Sequence, residues 1–408
     1  MRLLFLSPIG EVGGAERVLL AAVAGVRRAD PAVAVRVIAL TDGPLLDAVR
    51  TTGADAQVVR MPESLSAMGD SQLRSAGRWP GRVALLGRAA RTVPAGCGLL
   101  ARLRTAVRRF APDVVHSNGI KTHLLARVAV PRRVPVVWHV HDFFGLRPVA
   151  ARLLRRAQGS VRAGIAVSRA VAGDAARVLP GVPVRVIPNV VDLSRFGPGS
   201  VADIDRLAGL PPAPPGAVRV GQVATFARWK GHLTLLDAAR RLAEIDPDQP
   251  VRWYIVGGPI YHTAAQYTLA ELRAAAVERG IAHLIGFVPF QTDPADVYRG
   301  LDVVVHASTL PEPFGLTVAE AMACGRALVV SAAGGAAELF TDGVEAFGVP
   351  PGDAAALAAA VRRLARDPSE RARLGAAARL AAEVRFDDEK YGPTLLQFFD
   401  RLRTGAAV

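Results

Sequence analysis

Two glutamates in the last third of the chain stand at a spacing that could organise phosphate and sugar chemistry. Glu312 and Glu320 lie in the segment PEPFGLTVAE. The apolar run Val303–His306 predicts a buried strand just upstream, and Leu316–Ala323 predicts the helix that follows. Glu312 would then lie in the connecting loop. Glu320 would lie one turn inside the helix, on the same face as Leu316.

The turn between the two glutamates could bind an anion. The first N–H groups of a helix have no partner within the helix and carry a partial positive charge, so the amides of Gly315 and Leu316 predict a phosphate site. Glu320 would lean back toward this end of the helix, which suits a pair of ribose hydroxyls. For either glutamate alone an exposed, solvated position is the better interpretation, but the pair around Phe-Gly favours a binding site.

The Glu-x7-Glu pattern resembles the hallmark of glycosyltransferase family 4, a family of retaining transferases that use nucleotide sugars. The resemblance implies that Glu320 binds the donor ribose and that Glu312 holds hydroxyls of the transferred sugar. It also implies that the backbone amides of Phe314, Gly315 and Leu316 bind the diphosphate. The resemblance covers nearly the whole chain.

Two cations follow the strand predicted over residues 218–224. Arg228 and Lys230 precede a predicted helix and could neutralise a diphosphate leaving group, although exposed loop cations are the ordinary alternative. Family 4 members carry an arginine followed by Lys-Gly here, and Lys230-Gly231 matches this pair directly. The family arginine aligns with Thr225, so the resemblance leaves open whether Arg228 replaces it.

A histidine follows a strand in the first half of the chain. His141 and Asp142 come directly after the predicted strand Val136–Val140, so an imidazole could project beyond the sheet while the carboxylate orients it. The ring could also satisfy loop carbonyls, or bind a metal together with His139, but no third ligand is evident. Family 4 enzymes typically have a histidine here that contacts the transferred sugar, and His141 matches it better than His139.

A glycine-rich turn follows the first predicted strand, residues 3–7. Gly13 and Gly14 would allow the backbone to approach an anion or a sugar, although tight strand-to-helix packing also selects glycine. The resemblance implies that these glycines approach the donor phosphates or the acceptor. Three residues at the end of the strand predicted over 114–116 match looser acceptor-side features: His116, Asn118 and Lys121.

Short apolar runs alternate with helical stretches in two series. The predicted strands are 3–7, 33–40, 114–116, 136–140, 165–168 and 184–187, then 218–224, 253–256, 284–287, 303–306 and 328–331. This alternation is typical of parallel sheets covered by helices on both faces. We therefore predict an α/β protein with two doubly wound, Rossmann-like domains facing a central cleft where ligands meet the carboxyl ends of the strands. The resemblance to family 4 implies that this arrangement is the GT-B architecture.

Clusters of proline and glycine between residues 188 and 216 predict the boundary between the domains. Residues 1–195 would form an N-terminal acceptor-binding domain and residues 196–217 a linker. Residues 218–385 would form the donor-binding domain. Residues 386–408 would form a helix that crosses back to the first domain.

Composition agrees with a globular protein of two or three domains, at 408 residues, 51% hydrophobic and 21% charged. Cys97 and Cys324 lie far apart and follow no metal-ligand spacing, which predicts reduced thiols and a reducing compartment. No run of eighteen uncharged apolar residues resembles a membrane span. We therefore expect a soluble or peripheral, cytoplasmic protein.

The formal net charge is +14, but the cations are spread along the chain without an aromatic-basic motif, so a nucleic-acid partner is not predicted. Residues 74–109 carry nine arginines and interleaved apolar residues without an acid. This segment could lie on an anionic membrane, or form surface helices with solvated arginines. The chain has three lysines among fifty cations, and Lys230 lies within a motif.

The resemblance to family 4, together with these patterns, implies a metal-independent hexosyltransferase without a cofactor, with a nucleoside diphosphate sugar as co-substrate. The acceptor hydroxyl would belong to a lipid-linked compound, a polysaccharide or a small natural product. One alternative is a sugar-nucleotide epimerase or hydrolase on the same scaffold. A dinucleotide-dependent oxidoreductase would leave Glu312, Glu320 and Lys230 unexplained, and a non-catalytic membrane-binding protein would use residues 74–109.

Overall fold

The computed structural model describes residues 1–63, 82–259 and 264–406, and of residues 82–93 it describes the backbone only. The chain divides into two units. The first unit comprises Met1–Asn189 and Asp388–Val408, and the second comprises Val190–Asp387.

The first unit is built on a seven-stranded parallel sheet with the strand order β3-β2-β1-β4-β5-β6-β7. Its strands are β1 (Arg2–Ser7), β2 (Ala34–Ala39), β3 (Asp55–Val58), β4 (Val114–Asn118), β5 (Val136–Val140), β6 (Ala163–Ala166) and β7 (Val184–Val186). Its helices are α1 (Gly14–Ala29), α2 (Pro44–Thr51), α3 (Arg82–Phe110), α4 (Ile120–Ala129), α5 (Pro148–Ala157), α6 (Arg169–Val178) and, at the end of the chain, α14 (Tyr391–Thr404).

The second unit is built on a six-stranded parallel sheet with the order β10-β9-β8-β11-β12-β13. Its strands are β8 (Val218–Val223), β9 (Val251–Val256), β10 (Ile285–Val288), β11 (Val303–His306), β12 (Ala327–Ser331) and β13 (Phe347–Val349). Its helices are α7 (Ile204–Leu207), α8 (His232–Ile245), α9 (Leu269–Glu278), α10 (Ala295–Gly300), α11 (Leu316–Ala323), α12 (Ala354–Arg366) and α13 (Pro368–Arg385).

The central strands are buried along their whole length because helices cover both faces of each sheet. Every residue of β5 and β12 is at most 3% exposed, as expected for strands that are covered on both faces of a parallel sheet. The last helix packs closely on α1: a Cβ atom on Gly392 would lie 2.0 Å from the carbonyl oxygen of Gly25. The absence of side chains at this crossing lets the two helix backbones approach each other.

The prediction of two doubly wound parallel-sheet units is confirmed, and the strand Val303–His306 and the helix Leu316–Ala323 have the predicted bounds. Two edge strands were not predicted, β3 and β13, because both are short and only partly buried. Strand β4 runs two residues further than predicted. His116 therefore lies inside the strand and Asn118 ends it. The central cleft stays a prediction.

The segment predicted as a linker, residues 196–217, belongs to the second unit. It contains the short helix α7, in which the buried carboxylate of Asp205 accepts hydrogen bonds from Tyr254 and from Arg219 at 2.9 Å. Arg252 donates at 2.8 Å to Oδ1 of Asp205, the same oxygen that accepts from Tyr254, whereas Arg219 donates to Oδ2. Burial alone would raise the pKa of Asp205, but these bonds hold it well below its ordinary value. The proline-rich segment is thus fixed to its sheet by one ionised group.

In the described part of the chain no helix is long and apolar enough to cross a bilayer. Cys97 is exposed and Cys324 is buried, and neither forms a disulfide.

Candidate active site

The loop from β11 to α11 carries the residues that the sequence singled out first. Gly315 precedes the helix with φ +99° and ψ 59°, a left-handed conformation that favours glycine. Its neighbour Phe314 is buried and packs edge-to-face on Phe386, with the ring centroids 5.9 Å apart. The buried aromatic ring and the left-handed glycine together fix the path of the chain into α11.

The start of α11 leaves backbone donors unused. No side chain caps this helix. Among the described residues, the N–H groups of Phe314, Gly315 and Leu316 donate no hydrogen bond. Three unpaired amides and the positive end of the helix dipole favour a bound anion at this point. The phosphate site stays a prediction, and this turn supplies the unpaired amides that such a site requires.

Glu312 lies directly before these amides and receives three donors on one oxygen. Its Oε1 accepts hydrogen bonds from Lys230 Nζ at 2.6 Å, from His306 Nε2 at 2.8 Å and from the hydroxyl of Ser308. The residue is 5% exposed. No described residue donates to Oε2 of Glu312. One carboxylate oxygen is therefore held in place while the other has its acceptor capacity unused.

The charge on Glu312 is set by the same contacts. Burial alone would raise the pKa of this carboxyl group, but Lys230 and His306 outweigh burial and hold the pKa well below the ordinary 4.5. Glu312 is therefore ionised at neutral pH. An ionised carboxylate accepts hydrogen bonds and donates none, which suits sugar hydroxyls.

Lys230 reaches Glu312 because its short 3-10 turn is tied to the sheet. A Cβ atom on Gly231, which has φ +76°, would lie 1.8 Å from the carbonyl oxygen of Ala307. The carbonyl of Lys230 accepts a 2.6 Å hydrogen bond from Gln222. The carbonyl of Trp229 accepts another from the N–H of Thr309 at 2.8 Å. The glycine after Lys230 thus permits the close approach that brings the lysine to β11.

Arg228 lies in the same turn but has different partners. Its guanidinium forms a 3.0 Å ion pair with Glu271 and lies 4.2 Å from the ring centre of Tyr267. Its Nε donates to the carbonyl of Ala264 at 2.9 Å. The structure therefore joins Lys230 to Glu312 but does not bring Arg228 into this cluster. The reason is that Glu271, which also caps α9, competes for the arginine.

Glu320 is buried in the second turn of α11. Its Oε2 accepts a 2.9 Å hydrogen bond from the hydroxyl of Tyr298, which is fully buried. The expected role of Glu320, binding a ribose, stays a prediction. Tyr298 is a partner of this carboxylate that the sequence did not reveal.

In the first unit, Asn118 connects the start of α1 to His141. Its side-chain Nδ2 donates to the carbonyl of Ala15 at 3.2 Å. Its Oδ1 lies 2.6 Å from His141 Nε2. His141 is half-buried, and its ring lies against that of His139, with the centroids 4.0 Å apart. Two predicted site residues, Asn118 and His141, are therefore in direct contact.

His116 is buried beneath this contact, at 1% exposure, between the rings of Phe5, Phe399 and His139. Its Nε2 lies 3.2 Å from Nδ1 of His139. Burial lowers the pKa of His116 to about 3 and that of His139 well below 6.5. An acceptor contact through His116 was expected because the strand was predicted to end there. Within its unit the ring is instead part of the core.

The glycine turn before α1 holds a carboxylate of its own. Glu16 accepts backbone hydrogen bonds from Gly13 and from its own N–H, and burial raises its pKa. A Cβ atom on Gly13 would lie 2.9 Å from Oε2 of Glu16. The absence of a side chain at Gly13 thus makes room for Glu16 at the start of the helix, next to Gly14. That these glycines approach a ligand stays a prediction. Lys121 lies in the first turn of α4 and is partly exposed.

Besides Tyr298, two members of the candidate site were not predicted from the sequence, His306 and Ser308, which both contact Glu312. Both precede Glu312 at the carboxyl end of β11, and this position was the available signal. No cluster of three or more His, Cys, Asp or Glu residues suited to a metal ion occurs in residues 1–63, 82–259 and 264–406. The second unit can hold an anion at the start of α11 beside a lysine and a carboxylate. This combination suits a phosphorylated sugar.

Two family models match the chain, one on each half. Residues 12–195 match the model described as Glycosyltransferase Family 4. Residues 211–381 match the model described as Glycosyl transferases group 1. The second match includes the turn with Glu312 and Lys230.

Curated relatives agree with these models over part of their length. The D-inositol 3-phosphate glycosyltransferase of Actinosynnema mirum is 35% identical over 204 residues, which are 49% of this chain and 46% of the relative. The D-inositol 3-phosphate glycosyltransferase 2 of Catenulispora acidiphila is 36% identical over 168 residues, 40% of this chain and 38% of the relative. The chain thus spans less than half the length of these relatives.

Solved structures share the fold over the whole chain. Alr3699/HepE of Anabaena, crystallised with UDP and glucose, superposes with a TM-score of 0.77 at 25% identity and covers 98% of this chain and 99% of its own. Sucrose-phosphate synthase of Thermosynechococcus elongatus superposes with a TM-score of 0.74 at 20% identity, with both chains fully covered. These likenesses confirm the predicted GT-B fold.

Proposed function

Because the chain belongs to glycosyltransferase family 4, we propose that it transfers a glycosyl unit from a nucleoside diphosphate sugar to an acceptor hydroxyl, with retention of the anomeric configuration. The observation that carries this proposal is the turn before α11. It combines three unpaired amides at Phe314, Gly315 and Leu316 with the ion pair between Lys230 and Glu312. The amides suit a diphosphate and the carboxylate suits the hydroxyls of the attached sugar.

The proposed mechanism is front-face attack of the acceptor hydroxyl on an oxocarbenium-like centre. The bond from the anomeric carbon to the diphosphate oxygen breaks, the new glycosidic bond forms, and the departing phosphate oxygen takes the acceptor proton. Lys230 and the start of α11 stabilise the charge that develops on the diphosphate. Glu320 binds the ribose, and His141 contacts the transferred sugar. Arg228 is held by Glu271, so we assign the main cationic role to Lys230.

The donor is best sought among UDP-sugars. The relative Alr3699/HepE has been crystallised with UDP, with UDP and glucose, and with UDP-glucose. The acceptor would carry a free hydroxyl on a lipid-linked compound, a polysaccharide or a small molecule. The relatives named D-inositol 3-phosphate glycosyltransferases make polyhydroxylated cyclic acceptors the first class to test.

The test is acceptor-dependent consumption of the donor. The purified chain is incubated with UDP-glucose and related UDP-sugars, with and without a panel of hydroxyl acceptors, and products are identified by mass and anomeric configuration. We expect product only with an acceptor, and a large loss of product in Glu312→Gln, which keeps the size of the side chain but removes its charge. Donor turnover without any acceptor would support the epimerase or hydrolase alternative instead. An inverted product would remove the retaining mechanism.

We also propose that the first unit contacts an anionic membrane surface. In the segment 74–109, residues 74–81 and the side chains of 82–93 lie outside the described part. The arginines in the rest of the segment are exposed: Arg102, Arg104, Arg108 and Arg109. Helix α5 adds three exposed arginines, Arg152, Arg155 and Arg156. Beside them lie the exposed apolar side chains of Leu146, Val149 and Leu153. Cations flanking an exposed apolar stripe suit anionic lipid headgroups.

Vesicle sedimentation tests this contact. We expect binding to phosphatidylglycerol vesicles that weakens with salt, and little binding to phosphatidylcholine. The triple variant Arg152→Gln, Arg155→Gln, Arg156→Gln should lose most of this binding. A triple variant with the same change in net charge in the second unit, Arg206→Gln, Arg240→Gln, Arg273→Gln, should keep it. Equal loss in both variants would mean that net charge alone attracts the protein.

A further inference from the structure

The side chain of Asn118 can adopt only one amide orientation that satisfies both of its partners. Its two contacts are the carbonyl oxygen of Ala15, 3.2 Å from Nδ2, and Nε2 of His141, 2.6 Å from Oδ1. A carbonyl oxygen only accepts hydrogen bonds, so the NH2 group must face Ala15. The amide oxygen of Asn118 must then face His141. Asn118 is 1% exposed, so water has no access to the side chain to replace either hydrogen bond.

This orientation determines which nitrogen of His141 carries the proton. Oδ1 of Asn118 can only accept, so Nε2 of His141 must donate and must be protonated. The surrounding protein lowers the pKa of His141 to about 3, so the ring is neutral at physiological pH. A neutral imidazole has one N–H, and Nδ1 therefore carries a lone pair. No described residue donates a hydrogen bond to Nδ1 of His141.

We infer that Asn118 is a positioning residue that keeps the ring proton of His141 on Nε2, so that Nδ1 accepts a hydrogen bond from a hydroxyl group of the sugar. The proton on Nε2 follows from the contacts of Asn118, and the lone pair on Nδ1 follows from the neutral state of the ring. The sugar contact rests on the proposed function. A lone pair on Nδ1 meets a hydroxyl proton favourably and a phosphate oxygen unfavourably. His141 thereby selects the sugar side of the donor and not its diphosphate.

The same state of the ring decides what His141 cannot do. A base with so low a pKa holds almost no proton at neutral pH, so it is poorly suited to remove the proton of the acceptor hydroxyl. That proton goes to the departing phosphate oxygen in the proposed mechanism, and His141 keeps the same protonation state throughout. Its contribution is a hydrogen bond of fixed direction. Asn118 provides the direction without touching the substrate.

The tautomer can be observed directly. Two-bond proton–nitrogen correlation spectra of the full chain labelled with 15N-histidine distinguish protonated from unprotonated ring nitrogens, and His141→Gln assigns the signals. We expect His141 to show a protonated Nε2 and an unprotonated Nδ1 at pH 7, with the Nε2 proton protected from exchange. A His141 ring protonated on Nδ1, or on both nitrogens, in the wild-type chain would overturn the inference.

Two variants test the role of Asn118. Asn118→Ala removes the acceptor, so the Nε2 proton should exchange rapidly and the KM for the donor should rise about fivefold, as expected for loss of one neutral hydrogen bond. Asn118→Asp keeps the shape and the acceptor for His141 but adds a charge and loses the donor to Ala15. His141 should therefore become doubly protonated at a pH where the wild type is neutral. Neither variant replaces any other titratable side chain of this part of the first unit, namely Glu16, His116, His139 or Asp142.

Ser117→Ala provides the matched control. Ser117 is the buried neighbour of Asn118 in β4, and its hydroxyl contacts Thr122 and His123 but not His141. This variant should keep both the protected Nε2 proton and the donor KM. If Asn118→Ala behaves like Ser117→Ala in both measurements, Asn118 has no positioning role. A wild-type chain with the expected tautomer but without glycosyl transfer would remove the sugar contact and the proposed function, and leave the tautomer intact.

Discussion

At the scale of single residues, the most informative group is the carboxylate of Glu312. Taking a charge out of water is costly, and a buried carboxylate is stable only when donors and cations surround it. Lys230, His306 and Ser308 provide this surrounding, and all three act on Oε1. A carboxylate held in this way can accept a ligand hydroxyl on Oε2 without moving. The site is thus organised before any ligand arrives.

Replacement of Lys230 tests this arrangement. Lys230→Ala should lower turnover by about two orders of magnitude, because one group that stabilises developing charge is lost. It should also lower the free energy of unfolding by about 3 kcal/mol, because Glu312 stays buried without its cation. Steady-state kinetics and urea unfolding measure the two effects.

The double variant Lys230→Ala, Glu312→Gln separates folding from chemistry. Its stability should recover, because no unpaired charge remains, while its turnover should stay low. Arg206→Ala, which also removes one cation from the second unit but at an exposed position, provides a control that should change neither quantity. If the single variant shows unchanged steady-state kinetics, Lys230 has no role in the reaction.

At the scale of elements, the loop from β11 to α11 depends on two glycines with positive φ, Gly315 and Gly334. Gly315 turns the chain into α11, and a Cβ atom there would lie 3.2 Å from that of Ala336. Gly334, after β12, lies against the backbone of Glu312, where a Cβ atom would come within 2.5 Å of the carbonyl oxygen. The backbone of Glu312 and the amides that follow it are therefore shaped by contacts between neighbouring loops.

Gly315→Ala should disturb the anion site through the backbone. The left-handed conformation costs a non-glycine residue about 1–2 kcal/mol, and the new methyl group meets Ala336, so the amides should shift. We expect the affinity for UDP to fall about tenfold or more in calorimetric titration. Gly343→Ala is the matched control, because Gly343 has φ +73° but nothing within 4 Å of its Cβ position. It should lose similar stability and keep UDP affinity; equal UDP affinity in both variants would place the phosphate elsewhere.

Four histidines near the carboxyl edge of the first sheet should make the free energy of unfolding depend on pH. Burial lowers the pKa of His116 and His141 to about 3 and those of His123 and His139 well below 6.5. The unfolded chain therefore binds these protons first. Stability should be complete above pH 6.5 and should fall as the pH drops from 6.5 toward 3, by about 1.4 kcal/mol per pH unit for each histidine.

Urea unfolding between pH 7 and about pH 5.5 measures this slope before most carboxylates titrate, because the ordinary pKa of glutamate is about 4.3. His139→Asn should reduce the dependence of the unfolding free energy on pH by the contribution of one histidine, about 1.4 kcal/mol per pH unit. His283→Gln, a change at an exposed position, should leave it as it is. A stability that is flat across this range would mean that the buried rings take up protons without unfolding.

At the scale of the whole molecule, two sheets with separate cores are joined within one chain. Ligands that bind only the folded state stabilise it by mass action, and at a hundredfold the dissociation constant the gain is about 2.7 kcal/mol. The anion site described above belongs to the second unit alone. Binding should therefore act on the unfolding of that unit.

Differential scanning calorimetry with a panel of nucleoside diphosphates and their sugars should show a ligand-dependent rise in one unfolding transition. UDP should act more strongly than uridine, which lacks the diphosphate, and Gly315→Ala should lose most of the shift. The most stabilising nucleotide identifies the donor base. A panel without any shift at millimolar ligand would contradict the proposed donor site.

The sequence by itself determined the architecture and the centre of the second-unit site. Alternating apolar strands and helices specify two doubly wound sheets because burial on both faces demands continuous apolar runs. The Phe-Gly turn specifies the unpaired amides because a helix start leaves its first donors free. These are local properties of the chain, so residues near in sequence suffice to predict them.

Only the tertiary structure decided which side chains meet. Lys230 and Glu312 are 82 positions apart, and their contact depends on the neighbouring strands β8 and β11 and on Gly231. Arg228, two residues away, is drawn instead to Glu271, and His116 is enclosed by the rings of α14 and β1. These contacts depend on packing between elements that are distant in sequence. The spacing of residues along the chain does not determine which partner a side chain will contact.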